Sequence, residues 1–487
     1  MFYNLVMSKL NNYCLLCYEA KCTKECGVFN PDRILRSIYF DNVHVIKNSI
    51  DDNIPCFDCD GRCQSACPIK IDIKGIISSI KPKEDKKEIN YDVLKSDFCG
   101  IPLENPFLLS SSCVSSSYEM CARALEAGWA GVCFKTVCLM KIEEASPRYS
   151  AINDDKRIIG LKNIEQLSDH TLQENIDTFK KLKENYPDKF LLVSIMGKDE
   201  EEWAYLAREI SKSGADALEL NFSCPNMTEE HTGSDVGQIP ELVEKYCRIV
   251  NENTDLPFIA KLTPNVTDIK DSALAAIRGG ADGVAAINTI KSLIEVDIDP
   301  GDGICNASIG GYSGKAVKPI ALRFIADLEQ DPTINKYHIS AMGGIETWRD
   351  ALEFIVLGAD SIQITTAVMQ YGYRIIEALK DGLALYLINH GFSSIKQIKN
   401  STIKGIVPTE QLDRSYIIYP KFNRDRCLSC LRCYVSCMDG GHQAISIKDG
   451  KPIMDPKKCV GCHLCVLVCP SGAISSSGIK IPKKKKD

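Results

Sequence analysis

Four runs of closely spaced cysteines constrain this chain more than any other feature, and they hold sixteen of its 24 cysteines. The strictest pair lies near the C-terminus. Cys427, Cys430, Cys433 and Cys437 follow x2, x2, x3 spacing, and Cys459, Cys462, Cys465 and Cys469 repeat it, ending in Pro470. Eight thiolates so spaced suit two [4Fe-4S] clusters with exchanged fourth ligands. The spacing predicts Cys427, Cys430, Cys433 and Cys469 on one cluster, and Cys459, Cys462, Cys465 and Cys437 on the other. A zinc or disulfide reading fits this doubled spacing poorly.

A looser repeat opens the chain. Cys14, Cys17, Cys22 and Cys26 precede an apolar stretch through Ile34, Leu35 and Ile38. Cys56, Cys59, Cys63 and Cys67 precede Ile73, Ile76, Ile77 and Ile80. Each copy is a cysteine run followed by a short helix with one apolar face. Two more [4Fe-4S] clusters are expected, on Cys14, Cys17, Cys22 and Cys67 and on Cys56, Cys59, Cys63 and Cys26. Four-thiolate zinc sites are the alternative here.

A chain of 487 residues with no leader-like segment is not a small disulfide scaffold. Its cysteines belong on metal in a reducing, cytoplasmic setting. No window approaches the ~18 apolar residues of a membrane span. The net charge of −6 gives no footprint for nucleic acid. Lys480 and Lys483 to Lys486 form a basic end, expected to be solvated. The divisions expected are an iron–sulfur domain over 1–88, a barrel over 89–395, a linker over 396–420, a cluster domain over 421–479 and a tail over 480–487.

Between the cysteine runs, short apolar stretches alternate with amphipathic ones. Strands are expected at 107–111, 131–135, 190–196, 216–221, 257–262, 283–287, 338–342 and 361–365. Helices are expected between most of them, at 116–127, 200–213, 238–252, 268–278, 347–357 and 368–389. Gly214-Ala215-Asp216, Gly280-Ala281-Asp282 and Gly358-Ala359-Asp360 recur where helix gives way to strand, and Gly128 to Gly131 is similar. Glycine suits a helix C-cap. Eight such units predict a (β/α)8 TIM barrel, with a doubly wound sheet as the other possibility.

Barrel chemistry sits at the C-terminal strand ends. Those ends carry Lys135-Thr136, Asn221-Phe222-Ser223-Cys224, Lys261 and Asn288-Thr289, with Asn163 before the third strand. Gly310 to Gly314, Gly343-Gly344 and Thr365-Thr366 stand where barrels bind phosphate. No Gly-x-Gly-x-x-Gly follows a strand, so no dinucleotide site is expected.

Asn221-Phe222-Ser223-Cys224-Pro225, Phe134-Lys135-Thr136, Ala260 to Asp268 and Gly311-Tyr312-Ser313-Gly314 resemble the dihydroorotate/dihydropyrimidine dehydrogenase family. The run Cys433 to Ala444 extends the likeness into a bacterial ferredoxin-like 2[4Fe-4S] domain. The N-terminal repeat is similar to a cluster domain found on a partner subunit or on the single-chain eukaryotic enzyme. The resemblance implies FMN in the barrel and a uracil- or thymine-like base on its ring. It implies flavin contacts from Ser111, Lys135, Thr136 and Lys261, and phosphate contacts from Gly314, Gly343, Gly344, Thr365 and Thr366. Asn163, Asn221, Ser223, Asn288 and Thr289 would hold the pyrimidine, and Cys224 would be the general acid. Residues 227–237 would form a lid over Cys224. Asn226 departs toward the dihydroorotate branch, so dihydroorotate oxidation to orotate is the alternative reaction. The expected electron partner is an NAD(P)-dependent FAD protein or a ferredoxin, within a homodimer or hetero-oligomer.

Overall fold

The structure, a computed structural model, describes residues 14–28, 30–50, 56, 58–154, 157–227, 232–294, 296 and 308–483. The chain forms two compact units, residues 1–405 and 406–487. The boundary falls inside the expected linker.

Eight parallel strands close into a barrel in the first unit. They are β1 (Phe107–Leu109), β2 (Gly131–Val137), β3 (Phe190–Ile195), β4 (Ala217–Asn221), β5 (Phe258–Lys261), β6 (Gly283–Ala286), β7 (His338–Met342) and β8 (Ser361–Ile364). Each is buried along its whole length. Near-continuous apolar runs are what a sheet covered on both faces requires.

The recurring Gly-Ala-Asp turn has a specific job. Each aspartate accepts a hydrogen bond from the backbone of the preceding strand. Leu191 N–H donates to Asp216 at 2.8 Å, Phe258 to Asp282 at 2.9 Å and Ile339 to Asp360 at 3.0 Å. The carboxylates thereby tie neighbouring strands in register at their N-terminal ends, opposite the ends that carry chemistry.

The helix expected over 368–389 is two, Thr366–Tyr371 and Ile375–Asn389. Gly372 separates them at φ +76°, a backbone geometry that a helix interior does not contain. An antiparallel sheet was not expected. It consists of Tyr149–Asp154, Arg157–Asn163, Ile290–Ser292 and Gly310–Ser313. It carries Asn163 on a strand rather than in an open connection.

The N-terminal segment belongs to the first unit. Leu35, Ile38, Ile73, Ile76, Ile77 and Ile80 form its own small core beside the cysteines. Asn42 Nδ2 donates to Ala378 O at 2.6 Å, and Trp348 Nε1 donates to Asp41 O at 3.0 Å, which fixes the segment to the barrel's outer helices.

In the second unit Tyr416–Phe422 pairs antiparallel with Ile474–Pro482. Residues 480–482 are therefore strand, not a free tail. Tyr416 to Ile418 give them hydrogen-bonding partners, and Lys480 Nζ lies 4.4 Å from the Tyr416 ring centroid. Residues 484–487 fall outside the described chain. No helix among the described residues is long and apolar enough to cross a membrane.

Candidate active site and cluster ligands

A cleft of about 1140 Å³, open to solvent, lies at the C-terminal mouth of the barrel. Almost every barrel residue singled out from the sequence lines it: Ser111, Lys135, Thr136, Asn163, Asn221, Cys224, Lys261, Asn288, Thr289, Gly314, Gly343, Gly344, Thr365 and Thr366. Ser223 is fully buried just behind them.

One chain of hydrogen bonds joins the polar ends of β1, β2, β4 and β6. Ser111 Oγ lies 3.2 Å from Thr136 Oγ1, and Asn221 Nδ2 donates to Thr136 Oγ1 at 2.9 Å. Ser223 Oγ donates to Asn221 Oδ1 at 2.9 Å, and Asn288 Nδ2 donates to Ser223 Oγ at 2.7 Å. Thr289 N–H donates to Asn288 Oδ1 at 2.8 Å. Each carboxamide is thus fixed in rotamer, with polar capacity left toward the cleft. On the opposite wall Asn163 Nδ2 donates to Gly311 O at 3.1 Å. Asn226, the departure noted in the sequence, donates to Glu165 O at 2.9 Å and to Asn163 Oδ1 at 3.3 Å. It ties the turn after Cys224 to that wall.

Cys224 lies three residues past the end of β4 and is 8% exposed. Burial pushes its thiol up to about 11, although the Asn226 backbone N–H and the Lys261 charge oppose this. The thiol is protonated at neutral pH. Of the expected lid over 227–237, residues 228–231 lie outside the described chain. Ser234–Gly237 forms one short turn of helix, and Ser234 N–H donates to Cys224 O at 2.9 Å.

Three lysines line the cleft, Lys135, Lys261 and Lys315, and the first two are met closely by carboxylates. Lys261 Nζ is 3.1 Å from Glu219, which is fully buried. Glu219 also accepts from Gln363 Nε2 at 2.9 Å and from the Cys133 thiol at 3.4 Å. Lys135 Nζ is 2.9 Å from Glu165 and 3.6 Å from Glu144. Glu165 further accepts from the Tyr149 hydroxyl at 2.6 Å and faces Arg148 at 3.3 Å. Burial alone would raise the Glu165 carboxyl, but Tyr149 and Lys135 outweigh it and hold it below the usual range.

Glu219 had a legible signal, a charge inside an apolar strand at the same period-two face as Asn221. Glu144, Arg148, Tyr149 and Glu165 had none. They come from the unexpected sheet and its flanking loops.

The residues present fit a flavin nucleotide. Gly314, Gly343 and Gly344 all have φ between +76° and +124°, where a side chain is strained, and they stand beside Thr365 and Thr366. Gln363 Oε1 and Asn226 Oδ1 are buried in the cleft lining, and among the described residues neither has a hydrogen-bond partner. Acceptors left open in this way suit a ligand with N–H donors.

Cysteines of each run lie near a cysteine of its repeat. Cys14, Cys17, Cys22 and Cys67 line one cavity. Cys26, Cys59 and Cys63 lie close enough to Cys56 to add, after burial, to the rise of its thiol to about 11. In the second unit Cys427, Cys430, Cys433 and Cys469 line one cavity, and Cys437, Cys459, Cys462 and Cys465 line another. Sets of four soft thiol donors around a cavity fit a cubane cluster.

Residues 93–387 match the dihydroorotate dehydrogenase family model, and residues 421–475 match the 4Fe-4S dicluster domain model. The chain is 52% identical over 401 residues to the NAD-dependent dihydropyrimidine dehydrogenase subunit PreA of Escherichia coli K12, covering 81% of this chain and 98% of that one. It is 34% identical over 365 residues to the chloroplastic dihydropyrimidine dehydrogenase (NADP(+)) of Arabidopsis thaliana, covering 72% and 84%. It is 39% identical over 312 residues to the catalytic subunit of dihydroorotate dehydrogenase B (NAD(+)) of Pyrococcus abyssi, covering 64% and 100%.

Proposed function

The chain belongs to the dihydroorotate dehydrogenase family, and from that premise we propose that it reduces the C5=C6 bond of a neutral pyrimidine base, or runs the reverse reaction. It is an oxidoreductase acting on CH–CH bonds, in an FMN-binding family, with a 4Fe-4S dicluster domain.

The observation that carries the reading is Cys224. A buried, protonated thiol stands at the strand end beside a ring of fixed carboxamides. Bound FMN supplies the hydride chemistry. The chain supplies the rest. Cys224 Sγ holds the proton that the second carbon needs, and receives it in the reverse direction. Asn163, Asn221 and Asn288 offer both donors and acceptors to a ring whose edge alternates C=O and N–H. Lys135 and Lys261 bring positive charge to the mouth of the barrel, which stabilises negative charge developing there. The glycines at 314, 343 and 344 with Thr365 and Thr366 hold the FMN phosphate.

The sixteen grouped cysteines hold four [4Fe-4S] clusters. An electron-donating protein partner follows from these clusters, from the lack of a dinucleotide motif and from the name of the E. coli relative, which is a subunit. An NAD(P)-dependent FAD protein or a ferredoxin fits that role.

Dihydroorotate oxidation is the second reading, favoured by Asn226 and by the archaeal relatives. The cleft's charges weigh against it, because each lysine that enters near Cys224 already faces a carboxylate. The test is anaerobic reoxidation of the dithionite-reduced, FMN-loaded protein. Uracil or thymine is expected to reoxidise it and orotate to fail. Reoxidation by orotate alone would replace the first reading with the second.

A further inference from the structure

Glu165, Glu144 and Arg148, which surround Lys135 behind Asn163, have no part in holding a flavin or moving a proton, yet Glu165 reaches the same cleft. Charged side chains in the cleft lining are Lys135, Lys261, Lys315, Glu165 and Glu346. Lys261 is matched by Glu219 at 3.1 Å, and Lys315 lies 3.9 Å from Glu346. Lys135 is matched by Glu165 at 2.9 Å and also reaches Glu144 at 3.6 Å. Behind them Arg148 contacts both glutamates, at 3.3 Å from Glu165 and 3.7 Å from Glu144, so the four side chains sum to zero charge. Removing Glu165 or Glu144 leaves the cluster with one positive charge in excess, and removing Lys135 or Arg148 leaves one negative charge in excess.

We propose that Glu165 is the residue that makes this pocket select uncharged pyrimidines and reject ring carboxylates. The inference rests on the pyrimidine reading above and adds the residue that sets its charge preference. Glu165 acts in two ways. Its carboxylate occupies the Lys135 ammonium, which would otherwise be the cation available to an incoming carboxylate. It also adds negative charge to the wall formed by Asn163 and Asn226. Asn226 fixes that wall, since its Nδ2 bonds both Asn163 Oδ1 and Glu165 O. Tyr149 and Arg148 clamp the Glu165 carboxylate from the far side at 2.6 and 3.3 Å, so it does not swing away to make room. The downward shift of the Glu165 carboxyl keeps it ionised throughout the neutral range.

The FMN-loaded full chain, oxidised and anaerobic, provides the test. Uracil and orotate are titrated separately, and dissociation constants are read from flavin difference spectra. The informative quantity is the ratio of the orotate constant to the uracil constant. In Glu165→Gln, which keeps the shape and removes the nearer carboxylate from Lys135, that ratio is expected to fall about tenfold or more. In Glu165→Asp, which keeps the charge, it is expected to stay near the wild-type value. A smaller fall in Glu165→Gln, with uracil still bound, overturns the assignment to Glu165 and leaves the pyrimidine reading standing. A wild-type protein that binds orotate as well as uracil also overturns it. A wild-type protein that binds neither overturns the underlying reading instead. If Glu165→Gln fails to load FMN, Arg148→Met, which lies outside the cleft lining, leaves the Glu165 side with one unmatched negative charge; the ratio is then expected to rise, and an unchanged ratio overturns the proposal.

Discussion

Glu219 is the most informative single perturbation in the barrel. It is fully buried and accepts three hydrogen bonds, from Lys261 and Cys133 at Oε1 and from Gln363 at Oε2. Glu219→Gln keeps the side chain's shape but replaces two acceptor oxygens by one oxygen and one NH2 group. Unless Gln363 also turns its amide and gives up its bond to Ser340 Oγ at 3.1 Å, a donor then faces a donor. The Lys261 ammonium, 3% exposed, also loses its counter-charge. At 3.1 Å and an effective dielectric near 20 the pair interaction is about 5 kcal/mol. Breaking a buried pair by removing one partner costs about 3–5 kcal/mol. For a barrel of this size a kcal/mol moves Tm by roughly 2 °C, so a drop of about 6–10 °C is expected. Thermal unfolding of flavin-free protein reads this without stabilisation by ligand. The double variant Glu219→Leu with Lys261→Met removes both charges and should recover most of the loss, because an apolar replacement of a buried pair is close to neutral. A Glu219→Gln protein melting within about 2 °C of wild type would refute the claim that this pair is uncompensated once broken.

Cys224→Ala should lower the rate of substrate-dependent reoxidation by about 10²–10⁴ and leave bound FMN unchanged; full activity in that variant would sink the assignment. With the folded thiol raised from 9.0 to about 11, its protonated form persists as pH rises, so the acid step is expected to fail only near pH 11. The same raised value means that Cys224 contributes stability that is intact below pH 9 and lost as pH climbs through about 11. Anaerobic reconstitution should load about sixteen irons per chain, and Cys67→Ser should reduce that number by about four without touching the C-terminal clusters. Gly382→Ala should loosen the N-terminal segment, because a Cβ there would stand 2.2 Å from Asn42 Oδ1 and from Trp348 Cδ1. Limited proteolysis is expected to release that segment faster; an unchanged cleavage rate would contradict the docking.

The barrel was legible because its eight strands are apolar along their whole length and its turns repeat. Each strand expected from the sequence is present, most within two residues at either end. Strand-end chemistry was legible for the same reason, since Lys135, Asn221, Lys261 and Asn288 are polar residues at the close of apolar runs. The sheet of Tyr149–Asp154, Arg157–Asn163, Ile290–Ser292 and Gly310–Ser313 was not. Its strands are half-exposed and mixed in polarity, and residues 292 and 310 meet across a long intervening segment. The pairing of Lys135 and Lys261 with their glutamates was likewise invisible, although Glu219 itself stood out as a charge in an apolar strand. Glu219 stands 42 residues from Lys261, and Glu165 stands 30 from Lys135. Sequence shows that a buried charge needs a partner but not which residue supplies it.

The two lysine–glutamate pairs also separate structural from functional charge. Glu219 is sealed beneath the cleft by Cys133 and Gln363, and nothing that enters the mouth of the barrel reaches it. Its contribution is to hold Lys261 in place. Glu165 lines the cleft itself. It is placed to face a bound ligand as well as the lysine, so its removal is expected to change what Lys135 offers to a ligand. The same substitution, glutamate to glutamine, is therefore expected to act differently at the two positions. At 219 it lowers stability and leaves the relative affinities for uracil and orotate alone. At 165 the neighbouring Glu144 and the partly exposed Arg148 cushion the loss of charge, so stability changes less while those relative affinities move. Comparing Tm and the ratio of dissociation constants across the two variants distinguishes the roles. Equal stability losses with unchanged ratios in both would mean that both glutamates only hold the fold.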